Sequence, residues 1–454
     1  MSNFIDKYRQ YLGNYDSLLA YSLLGLAGGV ASGMVIIAFE RAITALAAVW
    51  GVADGGDGFE SLAAPMHLLL PTAGALLLGI GFQMLRSEDR ETGIVHVLSR
   101  MHSHYGVLPV RNALVQFFGG AFALATGQSG GREGPGVHLG GAVNSLLGQR
   151  LGLPNNSLRV LIACGTAGGI AAAFNTPLAG VVFAMEVIVA EYTVVGFIPV
   201  ILAAVAASAV SRTLAVGGAA LGIPTLQLNS LWEIPYIILL GIACGMALVA
   251  FIHISRSVAR LAHWNIILRF TLAGLVTGLL ALLVPQVLGM GYDTIRMALN
   301  GELALWMLVL IGAAKLIATA VSCGAGMPIG IIGPSLLIGA CIGGSLGLAG
   351  QQFAPDLASN PILYIVIGMG AAMAAALNAP LAALLAVIEL THSVGAGMPA
   401  MLAIVAATLT CTGIFRQRSV HQSVLRQLQR VVPDDPLNQL LHRTHAASVM
   451  DSRV

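Results

Sequence analysis

Apolar residues run on for about 20 positions at a time along this chain and stop at breaks rich in Gly, Pro or charge. A helix needs about 20 such residues to cross the roughly 30 Å hydrocarbon core of a bilayer. The pattern predicts membrane segments at 21–39, 66–85, 114–126, 157–190 in pieces, 197–211, 237–254, 268–287, 303–321, 336–350, 362–388 in pieces and 401–414. Several are too short or too interrupted by Gly and Pro to cross alone. Non-helical backbone is tolerated at membrane depth only where protein or a polar cavity covers it. The expected fold is an all-α polytopic membrane protein with broken helices.

The polar interruptions carry their own expectations. Glu40-Arg41 splits the first run, which resumes from 42 to 50. One long, tilted helix would hold both pieces, with Glu40 and Arg41 read as a locally paired couple near an interface. Residues 51–62, with several Gly and Asp, read as a loop outside the membrane. The stretch 86–96 is the most polar internal one and leads into a short helix at about 94–102, where Thr92 is a candidate N-cap or ligand hydroxyl. Residues 1–16 are polar and mildly amphipathic, without the pattern of a cleavable signal peptide. Phe4, Ile5, Tyr8 and Leu12 would make one face of an interfacial helix.

Composition then excludes a water-soluble globule: of 454 residues, 57% are hydrophobic and only 9% charged, with a mean hydropathy of +0.85. The net charge of +2 marks no nucleic-acid partner. Position says more. Arg416, Arg418, Arg426, Arg430 and Arg443 follow the last run, and Lys7 and Arg9 precede the first. The positive-inside rule places both termini in the cytoplasm. Cys164, Cys244, Cys323, Cys341 and Cys411 lie in apolar sequence without close pairing and read as buried free thiols.

The second half repeats the first. The stretch 165–179, with Phe174-Asn175-Thr176-Pro177-Leu178-Ala179, matches 368–382, with Leu377-Asn378-Ala379-Pro380-Leu381-Ala382, and Glu186 matches Glu389 at the same offset. A similar offset lays Gly131-Arg132-Glu133-Gly134-Pro135 on Gly330-Ile331-Ile332-Gly333-Pro334. Paired Gly/Pro breaks in two repeats point to a substrate site at their interface near the midplane. The division expected is two membrane repeats, 17–215 and 216–432, between cytoplasmic segments 1–16 and 433–454.

Arg132 and Glu133 are ionisable groups within membrane sequence, which are expensive there and functional candidates by default. The glycines around them let the backbone break and approach a ligand, and Pro135 suits the first turn of a helix. A helix is predicted from near Gly134 through Leu147. Its free N–H groups would make an anion site beside Glu133.

On these residues the chain resembles the CLC chloride channel and proton/chloride antiporter family, over nearly all of its membrane part. Gly131-Arg132-Glu133-Gly134-Pro135 fits that family's G-[KR]-E-G-P motif. Gly330-Ile331-Ile332-Gly333-Pro334 resembles its G-x-F-x-P motif, with Ile332 in place of Phe. Glu91-Thr92-Gly93-Ile94-Val95 resembles G-S-G-I-P, with Thr92 at the serine. Ser419-Val420-His421 resembles the segment that supplies a pore tyrosine, which makes His421 its counterpart. The resemblance implies an inverted-repeat fold, a homodimer with one pathway per subunit and, as in bacterial members lacking CBS domains, a place in the inner membrane.

It also implies roles. Glu133 would gate the path as a tethered anion that moves aside when protonated, with Arg132 structural. Thr92, Gly134, Ile331, Ile332 and His421 would bind the anion, chloride by default, with fluoride, nitrate and bicarbonate open. The antiporters of the family carry a second, inner glutamate where this chain has Val187, so channel-like or weakly coupled transport is expected, with protons as a further partner by another route. His96, His138 and His421 are titratable groups near that path, each read first as a packing histidine. A cation-coupled solute carrier would use broken helices too. No H-E-x-x-H or clustered ligand spacing marks a metal enzyme, and no cofactor is implied.

Overall fold

The computed structural model describes residues 18–52, 57–190, 194–214 and 226–427. Among them are seventeen α-helices and no strand. The first half runs α1 (Leu18–Ala48), α2 (Ala64–Met84), α3 (Gly93–Ser103), α4 (Val110–Ala125), α5 (Glu133–Arg150), α6 (Asn155–Phe174), α7 (Pro177–Phe183) and α8 (Val194–Leu214). The second runs α9 (Ile234–Ala259), α10 (Ile266–Leu283), α11 (Tyr292–Leu299), α12 (Leu305–Gly324), α13 (Ile332–Phe353), α14 (Pro361–Leu377), α15 (Pro380–Thr391) and α16 (Gly397–Thr408). The short α17 (Val420–Gln427) closes the described chain. Nine helices among these residues are long and apolar enough to cross a membrane, and four shorter apolar ones are not.

Local chemistry explains the breaks. At the end of α6, Asn175 takes a left-handed conformation with φ 58°, and Pro177 opens α7 two residues later. Asn378, with φ 55°, and Pro380 do the same between α14 and α15. Asn tolerates that conformation at a helix end, and Pro is preorganised to start the next helix. Each pair therefore ends one helix and starts the next within two residues.

α1 shows how the apolar runs divide their faces. Leu19, Leu23, Leu26 and Met34 are exposed, while Gly25, Gly28, Gly29, Ser32 and Gly33 are buried. Bulky side chains suit a lipid-facing stripe, and small ones let two helices approach. At Gly29 an added Cβ would fall 2.6 Å from the Cα of Ala203, so a larger residue would push α8 away.

The packing repeats with the helix labels advanced by eight. α1 packs on α8, α6, α5 and α4, and α9 on α16, α14, α13 and α12. α5 packs on α6 and α7 on α8, as α13 does on α14 and α15 on α16. Contacts that pair equivalent helices, α2 with α10, α5 with α13 and α7 with α15, join the halves. At the last of these, Glu186 accepts from the backbone N–H of Leu381 (3.3 Å) and Ala382 (2.9 Å). Glu389 accepts from Leu178 (2.9 Å) and Ala179 (2.8 Å). Each carboxylate thus sits on the electropositive start of the other half's helix.

One expectation needs correction. Glu40 and Arg41 lie within the single helix α1 but do not pair with each other, because successive helical residues point to different sides. Glu40 Oε1 lies 3.1 Å from Arg132 Nη1, and Arg41 donates to the carbonyl of Leu214 at 3.1 Å. In the described part of 51–62, Asp57 is 5% exposed and accepts from the N–H groups of Met290 (3.1 Å) and Gly291 (3.0 Å). The interfacial helix expected at 4–12, the junction at 215–216, Arg430, Arg443 and the tail 433–454 lie outside the described residues.

Candidate functional site

The two Gly/Pro breaks meet face to face. Gly131 and Gly330 exchange both backbone hydrogen bonds at 2.7 Å as an isolated antiparallel bridge. A Cβ on Gly134 would come within 2.7 Å of the Cα of Gly330, so the approach requires glycine there. α5 starts on one side of the bridge and α13 on the other. The free N–H groups at both starts therefore converge, and a helix start carries about half a positive charge.

Glu133, fully buried, places its carboxylate in this convergence. Oε2 accepts from the N–H of Gly333, in the first turn of α13, at 3.2 Å. Oε1 accepts from the hydroxyl of Tyr292, the first residue of α11. The carboxylate thus lies at the start of α13, carried by the first residue of α5. Arg132 does not neutralise it. The guanidinium pairs with Glu40, donates to the carbonyl of Ala173 at 3.0 Å and stacks 5.6 Å from the Tyr292 ring centre.

The other candidate residues fall as follows. Ile331 is the N-cap and Ile332 the first residue of α13, with Gly134 in the first turn of α5. Gly134 follows Glu133 directly, and Ile331 and Ile332 lead into Gly333, whose N–H the Glu133 carboxylate accepts from. Thr92 is the N-cap of α3, as expected, in extended conformation, although its side chain makes no capping bond. The N–H of Gly93 donates instead to Gln116 Oε1 at 2.7 Å, and Gln116 Nε2 donates to the carbonyl of Pro328 at 2.9 Å. This amide ties the start of α3 to the approach of α13. His421 is buried on α17, which packs on α3. Among the described residues its Nδ1 has no protein partner.

The histidines are less quiet than packing residues. His96 Nδ1 and His138 Nε2 lie 2.8 Å apart, both rings fully or almost fully buried. Among the described residues His138 Nδ1 has no protein partner. Val187, in the π-helical segment that follows α7, is packed against the apolar core. No group of three His, Cys, Asp or Glu residues among the described residues is placed to hold a metal.

Tyr292, Gln116 and Lys315 were not anticipated. Lys315 is the one cation in the apolar run 303–321, which was signal enough. Its buried ammonium donates to the carbonyls of Val287 (3.1 Å) and Gly289 (2.8 Å). Together with Asp57 it fixes the segment 287–291 that delivers Tyr292 to Glu133. Near this segment Asp57, Glu60 and Asp293 cluster. Burial and the neighbouring Asp293 push Asp57 up to about 6 and Glu60 up to about 7.

A family model described as voltage gated chloride channel matches residues 74–412. The chain is 34% identical over 401 residues to a putative chloride channel protein ClcB-like of Ralstonia nicotianae, covering 86% of this chain and 93% of that one. It is 31% identical over 451 residues to the H(+)/Cl(-) exchange transporter ClcA of Vibrio cholerae, covering 96% and 94%. Among solved structures, a slow cyanobacterial Cl-/H+ antiporter superposes with a TM-score of 0.79 at 21% identity, over 90% of this chain and 97% of that one. A CLC-type fluoride/proton antiporter gives 0.73 at 23%, over 90% and 98%. The two structures bear on the fold alone.

Proposed function

Because this chain belongs to the voltage gated chloride channel (CLC) family, we propose that it carries chloride across the membrane along a path that Glu133 gates. One observation supports this above the rest: the Glu133 carboxylate lies on the N–H of Gly333 at the start of α13, where a permeating anion would lie. Partial charges and N–H donors, without a full cation on the path, hold a small anion weakly enough to release it. A protonated Glu133 loses its attraction to both helix starts and leaves. Thr92, Gly134, Ile331, Ile332 and His421 are the anion-binding residues on this reading.

The relatives named H(+)/Cl(-) exchange transporters support proton movement alongside chloride. Val187 bears no proton, so coupling does not follow the two-glutamate route that the family resemblance implies. The two repeats, 17–215 and 216–432, would each supply one wall of the path. The protein works as a homodimer in a bacterial inner membrane, with both termini cytoplasmic. Arg416, Arg418 and Arg426 after the last membrane helix support that orientation.

The test is chloride efflux from proteoliposomes as a function of pH. Glu133→Gln imitates the protonated carboxyl and is expected to remove the pH dependence. An unaltered pH profile in that variant would refute the gate.

A further inference from the structure

The bonding of His96 fixes which nitrogens carry protons. Arg100 Nε donates to His96 Nε2 at 3.2 Å, so in the neutral ring that nitrogen holds a lone pair. The ring proton is then on Nδ1 and is donated to His138 Nε2. His138 in turn must carry its own proton on Nδ1. That N–H is buried without a protein partner among the described residues. A buried donor is costly to leave unsatisfied, so the arrangement calls for a receiver.

The entrance of the chain of bonds is as specific. Glu91 Oε2 lies 3.8 Å from the same His96 Nε2 and is partly exposed. Arg100 needs a lone pair on that nitrogen; Glu91 needs a proton there. Both charge states of His96 therefore have a partner ready, which a purely structural ring does not require. At the far end, His138 is five residues beyond Glu133 on α5, about 7.5 Å further along the axis and roughly 140° around it. The last step therefore runs through water around the start of α5.

We propose that Glu91, His96 and His138 form the proton path from one membrane face to Glu133, in place of the carboxylate absent at Val187. A proton passes from Glu91 to His96 Nε2 as Arg100 withdraws. His96 then releases its Nδ1 proton to His138 Nε2, and His138 releases its Nδ1 proton through water to the Glu133 carboxylate. Both rings are left with the proton on Nε2, and exchange of tautomers, favoured by the return of Arg100, resets them. Other charged or titratable side chains on the elements packed against α3 and α5 are otherwise engaged or lie elsewhere on those elements. Glu40 is held by Arg132, Arg41 by Leu214, Arg111 lies by Asp89 and Glu186 caps α15. Tyr21 on α1, His102 on α3, Arg150 on α5, Arg159 on α6, and His421 and Arg426 on α17 lie on these elements as well.

The proposal rests on the reading of Glu133 as gate in a chloride carrier, and chloride and proton fluxes recorded together in proteoliposomes separate the two. Under an imposed chloride gradient, the wild-type protein is expected to drive protons uphill. His96→Gln and His138→Gln keep hydrogen-bonding capacity but cannot relay. Each is expected to lower proton flux at least tenfold at unchanged chloride flux. Glu91→Gln, at the partly exposed entrance where folding is not at stake, is expected to slow protons in the same selective way. Wild-type chloride flux without proton movement would overturn the relay, as would variants that keep the wild-type proton-to-chloride ratio or lose both fluxes in parallel. Absence of any wild-type chloride flux would instead defeat the chloride reading.

Discussion

Removing one hydroxyl should loosen the gate. Tyr292→Phe deletes the donor to Glu133 Oε1 and leaves the ring contacts with Arg132 and Phe174 in place. Oε2 keeps the N–H of Gly333 at 3.2 Å, so the carboxylate loses one of two named donors while the helix starts continue to attract it. A hydrogen bond to a charged group contributes about 1.5–3 kcal/mol, which shifts the blocked-to-unblocked ratio by roughly tenfold to a hundredfold. The shift acts only while Glu133 is ionised. Chloride efflux in the variant should therefore exceed wild type by about tenfold or more near neutral pH and converge on it as acid protonates Glu133 in both. The assay is chloride efflux from proteoliposomes over a pH series, with the detergent-solubilised variant checked for intact assembly. Equal efflux at every pH, or a constant ratio between the two proteins, would show that Tyr292 does not hold the charged gate.

Two further outcomes are expected. Thr92→Val keeps the shape at the start of α3 and removes a hydroxyl that the helix does not use; calorimetry should show chloride bound about tenfold more weakly, and unchanged affinity would remove Thr92 from the site. Glu60, raised to about 7 by burial and by Asp293, should gain its charge as pH rises through that value, adding a negative charge near the Tyr292 segment. Chloride entry from that face should then fall between about pH 6 and 8, and Glu60→Gln should flatten this limb while leaving the Glu133 limb; an identical profile would rule the cluster out.

Length and hydropathy were enough to read an all-helical membrane protein, because lipid allows few other solutions for buried backbone. The repeat was legible as well, since Asn175-x-Pro177 and Asn378-x-Pro380 each encode a helix break locally. The two motif pairs drift by four residues relative to each other, and α13, with 22 residues, exceeds α5, with 18, by one turn. What the sequence hid were pairings between distant positions. Glu40 looked like a partner for Arg41 because they are neighbours, yet Arg132, 92 positions on, takes it. Tyr292 reaches Glu133 only because Asp57 and Lys315, from two other segments, fix the backbone before α11. Hydropathy averages over such residues, and no local pattern announces which carboxylate a buried hydroxyl will meet.

The near-symmetry of the two halves makes their differences informative. The bridge at Gly131 and Gly330 sets Arg132-Glu133 opposite Ile331-Ile332. Had both halves carried a glutamate, two like charges would compete for one pair of helix starts, and one would be driven to protonate. Had neither, the electropositive point between α5 and α13 would stand open to anions at any pH. On the proposed function one carboxylate balances the site: the first half would supply a tethered anion and the second a bare helix start to receive it. Arg132 follows from the same asymmetry. Its charge answers Glu40 on α1, whereas Ile331 carries none, so chloride would be held by the partial charges of helix starts, which also let it leave.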